Sequence, residues 1–279
     1  MANTSNTAPL SAKRMLSVTR IYRTSNKETC AQKMKPGARA SFIFSGLCFA
    51  ILFSSILFCG YCYDRSAYLS PDPSSPSWDD DGFPLVDWSY WQRINPDVIG
   101  WITIPDTPLN YPIVQAPPEE PDYYLTHDVY RTWNFAGCPY LDAGCKEDGL
   151  EQSMNALVFA HNLGHGDTSL FATVARFNNG EFAKLHRSIL VQTPKTKQVY
   201  VVEASACIPG NQTTKRTSFS DDNDYRAWLS QRIEECSIVL DGNVVDAKRT
   251  LTLCTCSYNI WGDERTLAYA VPIDEKMSP

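Results

Sequence analysis

The chain has 279 residues, 43% hydrophobic and 20% charged, a globular composition long enough for one large domain or two small ones. Its net charge of -6 hides an asymmetry: eight of the 25 Lys/Arg but one of the 31 Asp/Glu fall in residues 1–41, a local charge of +7. The remainder therefore carries 17 bases against 30 acids, or -13, and an acidic main body argues against nucleic acid as a partner.

The basic tail, 1–41, runs from Lys13 to Arg39 in its charged positions. It meets SFIFSGLCFAILFSSILFCGYCY, residues 41–63, which holds no charged residue in 23 positions. Roughly 20 apolar residues cross a bilayer as a helix, so a transmembrane helix is expected over 42–63. The basic flank places the N-terminus in the cytoplasm and everything downstream outside the cell. A cleaved signal peptide fits less well, because the apolar run exceeds the roughly 7–15 residues of an h-region and no clean A-x-A site follows. Residues 64–82, rich in Pro, Ser and Asp, have too little apolar surface to fold and read as a stalk.

The globular part, 83–279, is expected to open on a short amphipathic helix with Val86, Tyr90 and Ile94 on one face, ended by Asn95-Pro96. Strand-like runs rich in Val, Ile, Thr and Tyr follow at 98–104, 111–115, 156–161, 188–193, 198–208, 249–256 and 266–272. Two helices interrupt them. One covers 167–177, capped by Asp167 or Thr168. The stronger covers 219–236, capped by Ser220 or Asp221, with Tyr225, Trp228, Leu229 and Ile233 as its buried face. Many short strands with interrupting helices imply a mainly antiparallel β-barrel or sandwich with helices around its rim. No βαβ alternation or Gly-rich phosphate loop favours a nucleotide-binding fold.

Six of the ten cysteines face outward on this reading, too few in about 200 residues for a disulfide scaffold. Cys138–Cys145 and Cys207–Cys236 are the expected bridges. The remaining two, Cys254 and Cys256, stand one residue apart at the end of the run RTLTLCTC, on one face of a strand, with Leu251, Leu253 and Thr255 on the other. A cysteine at a strand terminus is exposed enough to react through its thiolate, and positive charge lowers its pKa. Arg265 can supply that charge or donate to an oxyanion. Of the four histidines, His161 is the best acid/base candidate, because ALVFAHNLGHG places it at the end of an apolar strand entering a Gly-rich loop. His165 lies in that loop, and His127 and His186 lie in charged surroundings. Any one of these histidines can equally be a surface residue and either cysteine a small buried hydrophobe. A zinc site from His161, His165, Cys254 and Cys256 is a further reading, weakened by the cationic Arg265 beside the metal.

TLCTC resembles the T-L-x-T-C signature of the sortases, membrane-anchored cysteine transpeptidases of Gram-positive bacteria. The order along the chain, anchor, His, Cys, Arg, is also theirs. FPLVDWSYWQRINPDVIGWITIPDTPLNYPIVQ is similar to the opening of class B sortases, and the long helix before the cysteine strand is a class B feature; the likeness covers about 83–270. It implies a closed β-barrel of about eight strands with peripheral helices. It implies Cys256 as nucleophile, His161 as acid/base and Arg265 as oxyanion stabiliser, with Asn110, Phe159, Cys254 and Thr255 at the substrate groove. Cys254 replaces a usual small or hydroxyl residue, and Phe159-Ala160-His161 stands where Tyr-Gly-His is common. The implied partners are a C-terminal sorting signal, cleaved at Thr–Gly, and an amine of the peptidoglycan precursor or of a pilin lysine; no cofactor or metal is implied. A membrane-tethered adhesion module is the non-enzymatic alternative. Papain-like proteases have the cysteine before the histidine, and the caspase signature QACxG is absent.

Overall fold

The computed structural model describes residues 47–57, 77–164, 166–213, 215–258 and 262–273. The basic tail and most of the stalk lie outside these. Of the span expected at 42–63, residues 47–57 are described; they form a helix, α1, with exposed apolar side chains. Among the described residues, no helix is long and apolar enough to cross a membrane.

Local pairing reaches ahead of Phe83. Trp78 bridges Pro84 across a turn built on Asp79, whose side chain accepts from the Phe83 and Asp81 N–H groups. Lys197 pairs with both Asp79 and Asp81 and ties this turn to the barrel. Helix α2, Trp88–Ile94, is capped by Asp87, which accepts from the Tyr90 N–H at 2.9 Å, and it ends at Asn95 before Pro96. Its packed face is Trp88, Trp91 and Ile94, not Val86, Tyr90 and Ile94. Val86 precedes the helix, and Trp91 turns inward to meet Trp101 at 5.5 Å.

The strands are β1 (Val98–Thr103), β2 (Asn110–Gln115), β3 (Tyr140–Leu141), β4 (Asn155–Phe159), β5 (Ser188–Gln192), β6 (Lys197–Pro209), β7 (Ile238–Val239), β8 (Thr250–Ser257) and β9 (Glu264–Pro272). They form one sheet in the order β5-β1-β2-β3-β4-β8-β9-β6-β7, and β5 also pairs with β6. That second pairing closes eight strands into a barrel and leaves β7 as an edge on β6. The pairing is antiparallel except at β2–β3 and β4–β8. The sequence expectation therefore holds for the seven long strands. The two-residue β3 and β7 carry no period of their own and exist because longer neighbours pair with them.

Inward-facing Ile102, Ile113, Val158, Leu253, Ala268 and Ala270 are fully buried and fill the barrel. Each such aliphatic side chain removed from water stabilises the fold by roughly 1.5–3 kcal/mol for the larger ones. Helices α3 (Gly149–Gln152), α4 (Ala172–Ala175), α5 (Gly180–Leu185) and α6 (Asp222–Glu234) lie between the strands, and α6 packs outside the barrel. Asp221 caps it, accepting from the Asn223 and Asp224 N–H groups, and its buried face is the expected Tyr225, Trp228, Leu229 and Ile233.

The segment 167–177 departs from expectation. The helix there, α4, is only Ala172–Ala175 and continues as a 3-10 turn, Arg176–Asn178. Tertiary bonds take its would-be first turn: Leu170 donates its N–H to the Tyr111 hydroxyl with φ +49°, and Phe171 donates to the His161 carbonyl. Asp167 accepts from Ser169 in a local turn instead of capping a helix. Neither expected disulfide forms. Cys138, Cys145, Cys207 and Cys236 are free, because each faces a different neighbour. Cys145 meets the Asn155 carbonyl, Cys207 the Ser257 hydroxyl and Cys236 the Arg232 carbonyl, while Cys138 turns to the carbonyl of Pro139.

Candidate active site

Three strands bring three distant residues into one row. Cys256 is the penultimate residue of β8, and Arg265 on β9 is its cross-strand partner. Directly opposed residues of an antiparallel pair have their Cα atoms about 4.5–5.5 Å apart. On the other side β4 runs parallel to β8, with Phe159 beside Cys254, so two residues further on His161 stands beside Cys256. Hydrogen bonds keep that register past the end of β4. Ala160 donates its N–H to the Cys254 carbonyl, the Thr255 hydroxyl donates to the Ala160 carbonyl (2.8 Å), and Asn162 Nδ2 donates to the Cys256 carbonyl (3.0 Å). Along β8, Leu251, Leu253, Thr255 and also Cys254 are buried and Cys256 is half-buried; alternation puts Cys254 and Cys256 on one face of the strand.

His161 is held by its Nε2, 3.0 Å from the Leu125 carbonyl. A carbonyl only accepts, so Nε2 carries the hydrogen and Nδ1 is the nitrogen left for proton transfer. Burial lowers the pKa of this ring, the Leu125 bond opposes that, and the Arg265 charge lowers it further. The neutral imidazole is thereby favoured. Leu125 ends a 3-10 turn, Tyr123–Leu125, packed tightly on Gly137. At Gly137, with φ +60°, a Cβ would clash with the Tyr124 carbonyl and lie 2.9 Å from that of Leu125. The Tyr124 hydroxyl anchors the same turn, donating to Asp97 at 2.6 Å while accepting from Asn95.

Arg265 is pinned by one nitrogen. Its Nη1 donates to Asp263 Oδ1 (3.1 Å) and to the Glu264 carbonyl (3.0 Å). A guanidinium has five N–H donors, so this leaves donors for an anion beside the thiol. Cys254 behaves differently from Cys256. It is 2% exposed, and burial pushes its thiol up to about 12 against the opposing charge of Arg265. It stays protonated and lies beside Phe159 across the β4–β8 pair; the Phe159 ring stacks on Tyr140 at 5.6 Å and lies under Lys215 Nζ at 4.6 Å.

Of the other expected groove residues, Thr255 points away from the thiol face and acts through Ala160. Asn110 begins β2, buried, with its Oδ1 accepting from Trp101 Nε1 (2.6 Å) and the Thr103 hydroxyl (2.9 Å). His165 lies outside the described residues, and among those described no group of three or more His, Cys, Asp or Glu is placed to hold a metal ion. Sequence reasoning missed Tyr258. Its hydroxyl is pushed up by burial and then by the adjacent Cys256, to which it hydrogen-bonds, with Arg265 opposing. Its ring crosses Gly164, where a Cβ would stand 3.2 Å from it. A lone aromatic in a connecting loop has no periodicity that marks it.

The row thus sets a thiol between an imidazole favoured as neutral and a guanidinium, groups whose chemistry is compatible with nucleophile, base and oxyanion donor. No family model matches the chain. It is 30% identical over 171 residues to Sortase B of Listeria monocytogenes and 27% identical over 165 residues to Sortase B of Staphylococcus aureus. Each match covers 59% of this chain and 65% of the relative, so the chain spans just under two thirds of the curated relatives it matches. Its fold is similar to that of the Staphylococcus aureus sortase B–substrate complex, with a TM-score of 0.57, 26% identity, and coverage of 67% of this chain and 85% of that one.

Proposed function

We propose that this chain, which belongs to the sortase family and is class B-like, is a cysteine transpeptidase that cleaves a C-terminal sorting signal and joins the released acyl end to an amine. The observation that carries this is the His161–Cys256–Arg265 row across β4, β8 and β9. His161 Nδ1 takes the thiol proton, and the Cys256 sulfur attacks the carbonyl of the scissile bond, Thr–Gly on the family pattern. The unpinned donors of Arg265 hold the oxyanion as it develops. The imidazolium then protonates the leaving amine, and the acyl group remains on Cys256 as a thioester. An incoming amine resolves it, forming a new amide and restoring the thiol. The thioester conserves the acyl energy, so ligation needs no cofactor.

The donor peptide is proposed to lie on the floor formed by Phe159 and Cys254, with Asn110 as a polar contact from the β1–β2 hairpin and Thr255 keeping the His161 loop in register. The uncharged stretch 42–63 behind a basic tail supports a single-pass anchor with the catalytic domain outside the cell. An envelope location supports an amine of the cell-wall precursor as acceptor for surface-protein anchoring. The test mixes full-length protein in detergent with pooled sorting-signal pentapeptides and a free amine, and follows products by mass. Wild type yields an amine-ligated product, and Cys256→Ala yields none. Product from Cys256→Ala, or cleavage at a bond unrelated to any sorting signal, would overturn the reading.

A further inference from the structure

One cation stands over the pair of side chains that precedes the His161–Cys256–Arg265 row. Phe159 lies beside Cys254 across β4–β8, two residues before the level of His161 and Cys256. Lys215, in the connection between β6 and α6, places its Nζ 4.6 Å over the Phe159 ring. Its charge also reaches the next strand: burial pushes the Cys254 thiol up, and Arg265 and Lys215 both oppose that push. Along a strand rising about 3.3 Å per residue, this position is about two residues, or roughly 7 Å, from Cys256.

The backbone that follows Lys215 is fixed. Asn155 Nδ2 donates to the Arg216 carbonyl at 2.8 Å, and Thr217 sits so close on Gly144 that a Cβ there would stand 2.4 Å from its hydroxyl oxygen. The Arg216 guanidinium pairs with Asp224 in the first turn of α6 and lies 4.7 Å over the Phe219 ring. The Lys215 side chain itself is 51% exposed. Among the described residues its ion-pair partner is Asp142 Oδ2 at 3.5 Å, longer than the roughly 2.7–2.9 Å of a close charge-assisted bond. Asp142 Oδ1 is taken by the Gly144 N–H at 2.8 Å. An ammonium carries three N–H donors, so Lys215 keeps donors open to an anion laid over Phe159.

We propose that Lys215 selects the charge of the donor peptide: it takes the carboxylate of an Asp or Glu side chain carried two or three residues from the scissile bond, over the Phe159 ring. The proposal rests on the transpeptidase reading, with the donor laid across Phe159 and Cys254. A basic side chain at the same place meets Lys215 as a like charge, on a loop that Asn155, Gly144 and Asp224 hold in position. Asp142 competes with the peptide for the ammonium, so neutralising it sharpens the choice.

The test takes a donor peptide found in the pooled screen and places Glu, Gln or Lys in turn at each position within three residues of the scissile bond. Full-length protein in detergent then ligates these peptides in competition to one free amine, with products followed by mass. At one such position wild type is expected to use the Glu peptide about ten-fold faster than the Lys peptide, with Gln between. Attraction and like-charge repulsion at a half-exposed cation each supply a few-fold of that ratio. Lys215→Met, which keeps the aliphatic stem, brings the ratio towards one, Lys215→Glu reverses it, and Asp142→Asn raises it; a ratio within each variant is insensitive to total turnover. Equal use of the Glu and Lys peptides at every position in wild type, or a ratio that Lys215→Met leaves unchanged and Lys215→Glu does not reverse, would overturn the charge selection while the transpeptidase stands. Absence of any acyl adduct on Cys256 would overturn the transpeptidase reading and this one with it.

Discussion

Replacing Gly137 by Ala strikes the strut behind His161 without touching a reacting group. A non-glycine residue at φ +60° costs about 1–2 kcal/mol in backbone strain. The added Cβ would also stand 2.9 Å from the Leu125 carbonyl and closer still to that of Tyr124, so the 3-10 turn must shift. That shift moves the acceptor for His161 Nε2, and a weakened buried hydrogen bond adds about 1–3 kcal/mol. The sum, about 2–5 kcal/mol, lowers Tm by about 4–20 °C in a domain of this size. Activity should fall further than stability explains, by about ten-fold or more in kcat/KM well below the melt, because the imidazole is no longer aimed at the thiol. Thermal unfolding by circular dichroism and peptide cleavage at 20–25 °C read the two effects separately. A lowered Tm with wild-type kcat/KM would refute the claim that the Leu125 carbonyl orients His161. An unchanged Tm would refute the packing itself.

Other consequences follow from the same geometry. By NMR, His161 should titrate below the ordinary histidine value, and Arg265→Ala should move it up by removing a repelling charge. Its folded pKa is depressed, so its contribution to stability is present above the ordinary histidine value and is lost as pH falls through that value towards the folded one. Upward movement of the apparent Tm on acidification across that window would contradict this. Iodoacetamide near pH 8 should alkylate Cys256 and spare Cys254, whose buried thiol is held at about 12; peptide mapping that finds Cys254 modified first would contradict the assignment. Thr255→Val should leave the Ala160 carbonyl without its hydroxyl donor and cost about 1–3 kcal/mol, read as a lower Tm, with kcat/KM reduced through the His161 loop. Asp221→Ala should cost about 1 kcal/mol through loss of the α6 cap and leave cleavage kinetics alone.

Much of this was legible in the amino-acid order because the physics involved is local. The seven long strands follow runs of β-branched and aromatic residues bounded by Pro, Gly, Asn and Asp, and α6 follows from Asp221 and the spacing of Tyr225, Trp228, Leu229 and Ile233. Features set by contact between distant segments were not. The helix at 167–177 shrinks because Tyr111 and His161 claim the N–H groups of Leu170 and Phe171. The two expected disulfides fail because spacing along the chain says nothing about which way a thiol faces. The candidate row depends on a parallel β4–β8 pairing between strands 95 residues apart, from Asn155 to Thr250, which no local pattern announces. There the resemblance to sortases, through TLCTC and the order of His161, Cys256 and Arg265, supplied the candidate grouping that periodicity could not. Tyr258 escaped both, having neither a period nor a place in the signature.

The most direct test of the central claim is the mass of the full-length protein after brief exposure to a cleavable sorting-signal peptide. The account predicts a gain equal to the peptide's N-terminal portion, mapped to the peptide containing Cys256, released by neutral hydroxylamine as a thioester is, and missing in Cys256→Ala. An unmodified Cys256 that is still freely alkylated while the peptide is cleaved, or an adduct on any other residue, would contradict it.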